Sequence, residues 1–435
     1  MKAGWGGIAA LCIAAAVPGC AGMSGIKETS PNLLVLAAGN DGVETIRIEY
    51  GNPYLSAYPG ASVEYVSFSP ANLDQATDEL IQTIDRERPD VLILGESQYE
   101  RLAGENKLFP LDPLIRSDDY DTSGMFPGVL EKLRGPGGGG LFGLSPMFTG
   151  RGVVFNKDLF DAAGIEYPAD GMTWEQLLRL AEQFSARTEP ATFGFSFPGG
   201  PEALVDQIAR TNGLLLFDES TGEPLIESEA WREVWESVVG AYRSGAIAPP
   251  SDRDEFMDGR AAMALATSDS LYRNFRRHWG VAAFPVHPTL RSETKEYYVD
   301  NILAIPAEAE DVEHAWAFIR YVTGEEYART KRLSVDRLLT RTDYARDLPG
   351  IDIDVFHSLA LSVGRDALDQ ASSPEYDDAS RIADRLRAAL LPKAIAGDVS
   401  VEEALGEISE ELQAVGTGSP PSAAPLRKGK DREYK

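Results

Sequence analysis

From Leu33 onward, short apolar runs alternate with stretches patterned for helix, and that alternation constrains the fold more than any other feature of the chain. Leu33 to Ala38 is a continuous apolar run closed by Gly39-Asn40-Asp41-Gly42, Ser62 to Ser69 alternates in the strand manner, and Val91 to Leu94 follows Pro89-Asp90. Between the last two, Ser69 and Pro70 open a helix whose apolar stripe is Leu73, Ala76, Leu80, Ile81 and Ile84. Thr173-Trp174-Glu175-Gln176 is a capping box ahead of Leu177, Leu178, Ala181 and Phe184, and Ser400-Val401-Glu402-Glu403 opens a last helix. A helix from Ser228 carries Trp231, Val234, Trp235, Val238 and Tyr242 on one stripe, which places both tryptophans in a core. Ala261–Ala266, Val281–Phe284 and Ile302–Ile305 read as strands, and His314–Val322 as a helix. Such an order predicts α/β layers around a mostly parallel sheet, with ligands received beyond the carboxyl ends of its strands.

Both cysteines, Cys12 and Cys20, lie ahead of this body. Lys2, the apolar stretch from Ile8 to Val17 and the small residues before Cys20 describe a secretory signal, too short to span a membrane as a stable helix. Val17-Pro18-Gly19-Cys20 resembles the end of a bacterial lipoprotein signal, in which the cysteine is lipidated and becomes the new N-terminus. Residues 1–19 are then a signal peptide, 20–32 a lipidated linker, and 416–435, rich in Gly, Ser, Pro and Ala, a disordered tail. Processing at Cys20 leaves no pair of thiols for a disulfide, so stability must come from apolar burial, for which 43% hydrophobic content in 435 residues suffices. A formal charge of −27 argues against nucleic acid, since the only basic run, Arg427-Lys428-Gly429-Lys430, falls in the tail. The expected place is the outer face of a bacterial cell membrane, or its periplasmic side if an outer membrane is present.

Chemistry-bearing motifs are missing. His278, His287, His314 and His357 are too scattered for a zinc pattern, so no metal or other cofactor is expected, and no nucleophile elbow, phosphate loop or dinucleotide fingerprint occurs. The 68 acidic residues guarantee chance carboxylate pairs, which therefore point to no glycosidase in particular.

Arg151-Gly152-Val153-Val154-Phe155-Asn156-Lys157-Asp158-Leu159-Phe160-Asp161-Ala162-Ala163-Gly164-Ile165, followed by Thr173-Trp174-Glu175-Gln176-Leu177, resembles a run of the extracellular solute-binding proteins of ABC importers, family 1, which includes the maltose-binding proteins. Supporting stretches are Phe109-Pro110-Leu111, Phe256-Met257-Asp258-Gly259-Arg260-Ala261-Ala262-Met263 and Ala315-Trp316-Ala317-Phe318-Ile319. The resemblance implies a type II periplasmic-binding-protein fold, two α/β lobes joined by a multi-strand hinge. Lobe 1 would take residues 33–147 and 302–341, and lobe 2 residues 148–301 and 342–415. It further implies a monomer, not an enzyme, that captures a carbohydrate or related polar solute between the lobes and delivers it to the transmembrane subunits of an ABC permease. A sensor lipoprotein acting on a receptor kinase, and a surface glycoside hydrolase, remain as alternatives.

Carried over position by position, the family's ligand contacts fall on Asn40 and Asp41, on Glu96, Ser97 and Gln98, on Phe148 and Thr149, on Ser196, on Asp269 and on Tyr376, with Tyr298 as a further stacking face. Leu94 and Asp269 stand near positions where oligosaccharide binders place stacking tryptophans, which favours a solute smaller or more polar than a long maltodextrin.

Overall fold

The computed structural model describes residues 32–415 except 40, 73–74, 136–137, 188–191, 295, 335, 347, 349–350 and 362–375. Asn40, Leu73, Cys20, the signal, the linker up to residue 31 and the tail lie outside the described residues, while Asn32 already belongs to the first strand. Among the described residues no helix is long and apolar enough to cross a membrane.

The strands in chain order are Asn32–Ala37 (β1), Ser62–Ser67 (β2), Val91–Leu94 (β3), Gly143–Leu144 (β4), Met147–Asn156 (β5), Phe193–Ser196 (β6) and Ala261–Thr267 (β7). Trp279–Ala283 (β8), Glu293–Thr294 (β9), Tyr297–Tyr298 (β10), Ile302–Ala304 (β11), Leu338–Leu339 (β12) and Ala360–Leu361 (β13) follow. They form two principal sheets. One runs β2-β1-β3-β11-β4; the other runs β10-β5-β7-β6, with β8 and β12 also pairing along β5. Every residue of β3 is buried, as a continuous apolar run covered on both faces requires, while β2, at the edge, keeps its exposed and half-buried alternation.

The sheets are mixed where the alternation predicted mostly parallel strands. β1 pairs in parallel with β2 and β3, but β11 runs antiparallel to β3 and β4, and β5 runs antiparallel to β7, β8, β10 and β12. The reason is topological: β5, β10 and β11 flank the points where the chain passes from one sheet to the other, so they enter from the opposite end to strands delivered by helical crossovers.

Those passages lie at Ser145-Pro146 and Val299–Asn301, and β12 adds a third segment alongside. Two fully buried hydroxyls tie them together. Ser145 Oγ donates toward the Met147 and Asp300 carbonyls at 2.7 and 2.9 Å, while Thr340 Oγ1 donates to the Ser145 carbonyl at 2.7 Å. Arg341, also buried, donates Nε to Thr323 O and Nη2 to Asp121 O, anchoring the third segment to the first sheet's surroundings.

The second sheet carries a helical layer. Gln176 Oε1 accepts from Thr173 N at 2.9 Å and Thr173 Oγ1 accepts from Gln176 N at 3.3 Å, the reciprocal bonds that start helix Trp174–Arg187. That helix lies so close to β6 that a Cβ on Gly194 would sit 2.1 Å from the Ala181 carbonyl oxygen. Trp174, Trp231 and Trp235 are buried here together with the helices Asp377–Ala396 and Val401–Val415. One helix boundary differs from expectation: Ala76–Glu87 begins well after Pro70, because the Glu79 carboxylate accepts from Ala71 N and Asn72 N and holds them in a turn before the helix.

Candidate functional site

The carboxyl ends of β1, β3 and β7 and the two crossings converge on a group of charged side chains drawn from distant parts of the chain. At the end of β1, Asp41 Oδ2 accepts from Arg337 Nη2 and from Asn301 Nδ2, both at 2.5 Å. Asn301 also donates to Tyr50 Oη at 3.0 Å and is fully buried in the crossing with φ 54°, a left-handed conformation that asparagine tolerates better than most residues. Its Oδ1 has no partner among the described residues, and it lies only 3.0 Å from where a Cβ on Gly39 would be. For Arg337, burial is the largest single influence and works to lower its pKa, but the hydrogen bond to Asp41 and that residue's charge carry it upward. A guanidinium so placed stays charged.

Beyond β3, Glu96 opens helix Glu96–Gly104 and takes Lys132 Nζ at 2.8 Å and the Val299 backbone N–H at 2.5 Å. Lys132 lies 5.8 Å from the centre of the Tyr298 ring. Asp300, in the same crossing, feels Glu96, Arg337, Asp41 and Lys132. Burial first, and then the like charge of Glu96, raise its carboxyl above the ordinary 3.8.

The second sheet contributes two more pairs. Arg151, on β5, donates Nη1 to Glu296 Oε2 and Gln207 Oε1, each at 2.7 Å, and Glu296 takes two further bonds, from Gln207 Nε2 and Tyr298 Oη. Beyond β7, Thr267 caps helix Ser268–Asn274, and in its first turn Asp269 pairs with Arg273. Arg273 reaches on to Asp336 Oδ2 at 2.6 Å.

Asp41, Glu96, Asp269 and Tyr298 thus come together around the crossings, with Thr149 paired to Tyr298 across β5 and β10. Other expected contacts are placed differently. Phe148 is buried with its ring 5.0 Å from Phe126, and Tyr376 is buried and stacked on Phe217 at 5.1 Å, so both are core residues. Gln98 spends its Oε1 on the Gly95 N–H at 3.0 Å, closing the helix start, while its neighbour Ser97 is exposed and Ser196 is buried at the end of β6. Sequence reasoning did not find Lys132, Arg151, Glu296, Asn301, Arg337 or Gln207. Apart from Arg151, which opens the run that carries the family resemblance, each is a polar residue in an ordinary stretch, and only the fold brings it to its partner.

No group of three His, Cys, Asp or Glu side chains among the described residues could hold a metal ion. Two depressions of about 390 and 490 Å³ share no residue with the four acid–base pairs.

The sequence pattern of the bacterial extracellular solute-binding proteins matches residues 43–329, more than half of the chain. The chain belongs to that family. This solute-binding protein also superposes on solved structures across nearly its whole length. One from Alicyclobacillus acidocaldarius, an extracellular solute-binding protein of family 1, is 15% identical with a TM-score of 0.66, covering 90% of this chain and 99% of that one. The substrate-binding protein Lmo0181 of Listeria monocytogenes, in complex with cycloalternan, is 18% identical with a TM-score of 0.61 and covers 89% and 99%. A solute-binding protein of Agrobacterium vitis with bound D-mannitol is 18% identical with a TM-score of 0.59 and covers 89% and 98%. At these identities the likeness is one of fold: the two-lobed, type II architecture.

Proposed function

We propose that this solute-binding protein captures a neutral, polyhydroxylated solute, a sugar, short oligosaccharide or sugar alcohol, between its lobes and hands it unchanged to an ABC permease, held at the membrane by lipid on Cys20. The pairing of charges carries the reading. Asp41, Glu96, Asp269 and Glu296 each have a cation within hydrogen-bonding reach, respectively Arg337, Lys132, Arg273 and Arg151. In a chain of formal charge −27, four carboxylates gathered at one place with a cation on each offer donors beside acceptors, while Asp336, which shares Arg273 with Asp269, and Asp300 add two further acids. A hydroxyl both donates and accepts, so it can bond each half of such a pair, whereas an anionic solute would have to displace a carboxylate from its cation.

Asp41, Glu96 and Asp269 are the proposed ligand acids, Tyr298 the stacking face, Thr149 a rim hydroxyl. Trp174, Trp231, Trp235, Trp279 and Trp316 are all buried, which leaves no tryptophan platform among the described residues and favours a short solute. The binding of cycloalternan and D-mannitol by proteins of the same fold supports the carbohydrate class.

Calorimetry against mannitol, maltose, cycloalternan, galacturonate and glucosamine tests the reading. Binding of a neutral member, recovered chemically intact, is expected. Preference for a charged member, or conversion of any of them, would overturn it.

A further inference from the structure

Arg273 and Asp336 come from opposite sides of the chain crossings. Arg273 lies on helix Ser268–Asn274, which continues directly from β7 of the second sheet. Asp336 lies between helix Glu325–Lys331, whose Tyr327 is buried 6.0 Å from Tyr50 of the first sheet's surroundings, and β12, which pairs with β5 of the second sheet. The residue after it, Arg337, is tied to Asp41 at the end of β1. The dipeptide Asp336-Arg337 therefore sits where the third segment passes from the first sheet's surroundings to the second sheet, its arginine bonded to Asp41 at the end of β1 and its aspartate to Arg273 beyond β7.

We propose that the Arg273–Asp336 ion pair is a latch between the lobes, which sets the balance of open and closed forms before any solute arrives. Arg337 is its anchor, since the bond to Asp41 fixes the segment on lobe 1. Arg273 is its moving part, because the same guanidinium also pairs with Asp269, a proposed ligand acid. Rotation that separates the sheets lengthens the Arg273–Asp336 contact while leaving both Arg273–Asp269 and Arg337–Asp41 intact, as each of those pairs lies within one lobe. The inference rests on the proposed cleft for its consequence to binding, but the latch itself depends only on the two-lobed fold.

The size of the effect follows from exposure. The side chains are 55% and 41% exposed, and an ion pair so open to water contributes roughly 0.2 to 1 kcal/mol, about a 1.5- to 5-fold change in an equilibrium. Such a pair cannot hold the lobes shut against solvent, but it shifts the population measurably.

The test uses no solute, so its failure is distinct from failure of the carbohydrate reading. Spin labels on cysteines at Ser117 and Glu219, both exposed and on different lobes, are placed in the full chain carrying Cys12→Ser and Cys20→Ser. Electron–electron double resonance then gives the interlobe distance distribution. Asp336→Asn and Arg273→Gln are each expected to shift the ratio of short to long distances by about 1.5- to 5-fold. The double variant should shift it no further than either single one, because the two residues act through one contact. Salt at about 1 M, where the screening length falls to about 3 Å, should reproduce the shift in the parent and have no effect in the variants. Identical distributions in the parent and Asp336→Asn, or effects of the two substitutions that simply add, would overturn the latch.

Discussion

Replacing Glu296 with Ala isolates the contribution of a buried charge at the site. Its side chain is 3% exposed and accepts from Arg151 Nη1 at 2.7 Å, Gln207 Nε2 at 3.0 Å and Tyr298 Oη at 3.2 Å. Truncation removes all three bonds and leaves the Arg151 guanidinium, 17% exposed, with Gln207 Oε1 as its nearest acceptor. Breaking a buried pair by removing one partner typically costs about 3 to 5 kcal/mol, most of it the penalty of the stranded charge. Gln207 and the partial exposure of Arg151 compensate in part, so the low end, about 3 kcal/mol, is expected. Urea unfolding with an unchanged slope and a lowered midpoint would register it. A paired change, Arg151→Met with Glu296→Leu, removes both charges and should recover most of the loss, since a buried ion pair is often no better than apolar residues of like volume. The reasoning fails if Glu296→Ala falls within about 0.5 kcal/mol of the parent, the range of an ordinary surface substitution, or if the double variant is as unstable as the single one.

Other outcomes follow from different parts of the molecule. Trp235→Ala, at a site with no exposure, should lower stability by about 3 to 5 kcal/mol in the same unfolding assay while leaving solute affinity unchanged in calorimetry. Gly194→Ala places a methyl group against the Ala181 carbonyl and should cost about 1 to 3 kcal/mol; a variant melting with the parent would mean that the helix and β6 are not in such close contact. Because the folded state raises the Asp300 pKa, the unfolded chain loses that proton first as pH climbs past 3.8, so this group destabilises the fold progressively until it too ionises. Asp300→Asn should accordingly flatten the decline in stability over that rise, and a variant whose pH profile matches the parent's would contradict the assignment. Cys20→Ser should move the protein from the membrane fraction to the soluble one; retention in the pellet would remove the lipid from the proposal.

The fold was largely legible because the strands and helices rest on local signals. The apolar run of β3, the capping boxes at Thr173 and Ser400, and the stripe of Trp231 and Trp235 all encode local structure and burial within a few residues. The site was legible only in outline. Asp41, Glu96 and Asp269 could be expected at strand ends from the family resemblance, but the cations of the first two could not, since Arg337 reaches Asp41 and Lys132 reaches Glu96 across long separations in sequence, unlike Arg273, four residues from Asp269. Phe148 illustrates the complementary failure. A residue in a crossing strand can point toward the cleft or into the core, and its neighbours Phe126 and Tyr297, which draw its ring inward, come from separate elements.

The placement of β11 has a bearing on how the chain acquires its shape. This strand lies between β3 and β4 in the middle of the first sheet, yet its residues, Ile302–Ala304, come after the whole of β5 to β10. A nascent chain that has produced only β1 to β4 therefore has a gap where its central ladder belongs, with the apolar edge of β3 exposed. The first sheet cannot be completed before the strands of the second from β5 to β10 have been made, and the entropy of closing so long a loop must be met before β11 can pair. An N-terminal piece cut at the first crossing should consequently remain unfolded when made alone, whereas the C-terminal piece keeps every strand of the second sheet, so completion of the first sheet is a late event in the synthesis of the chain.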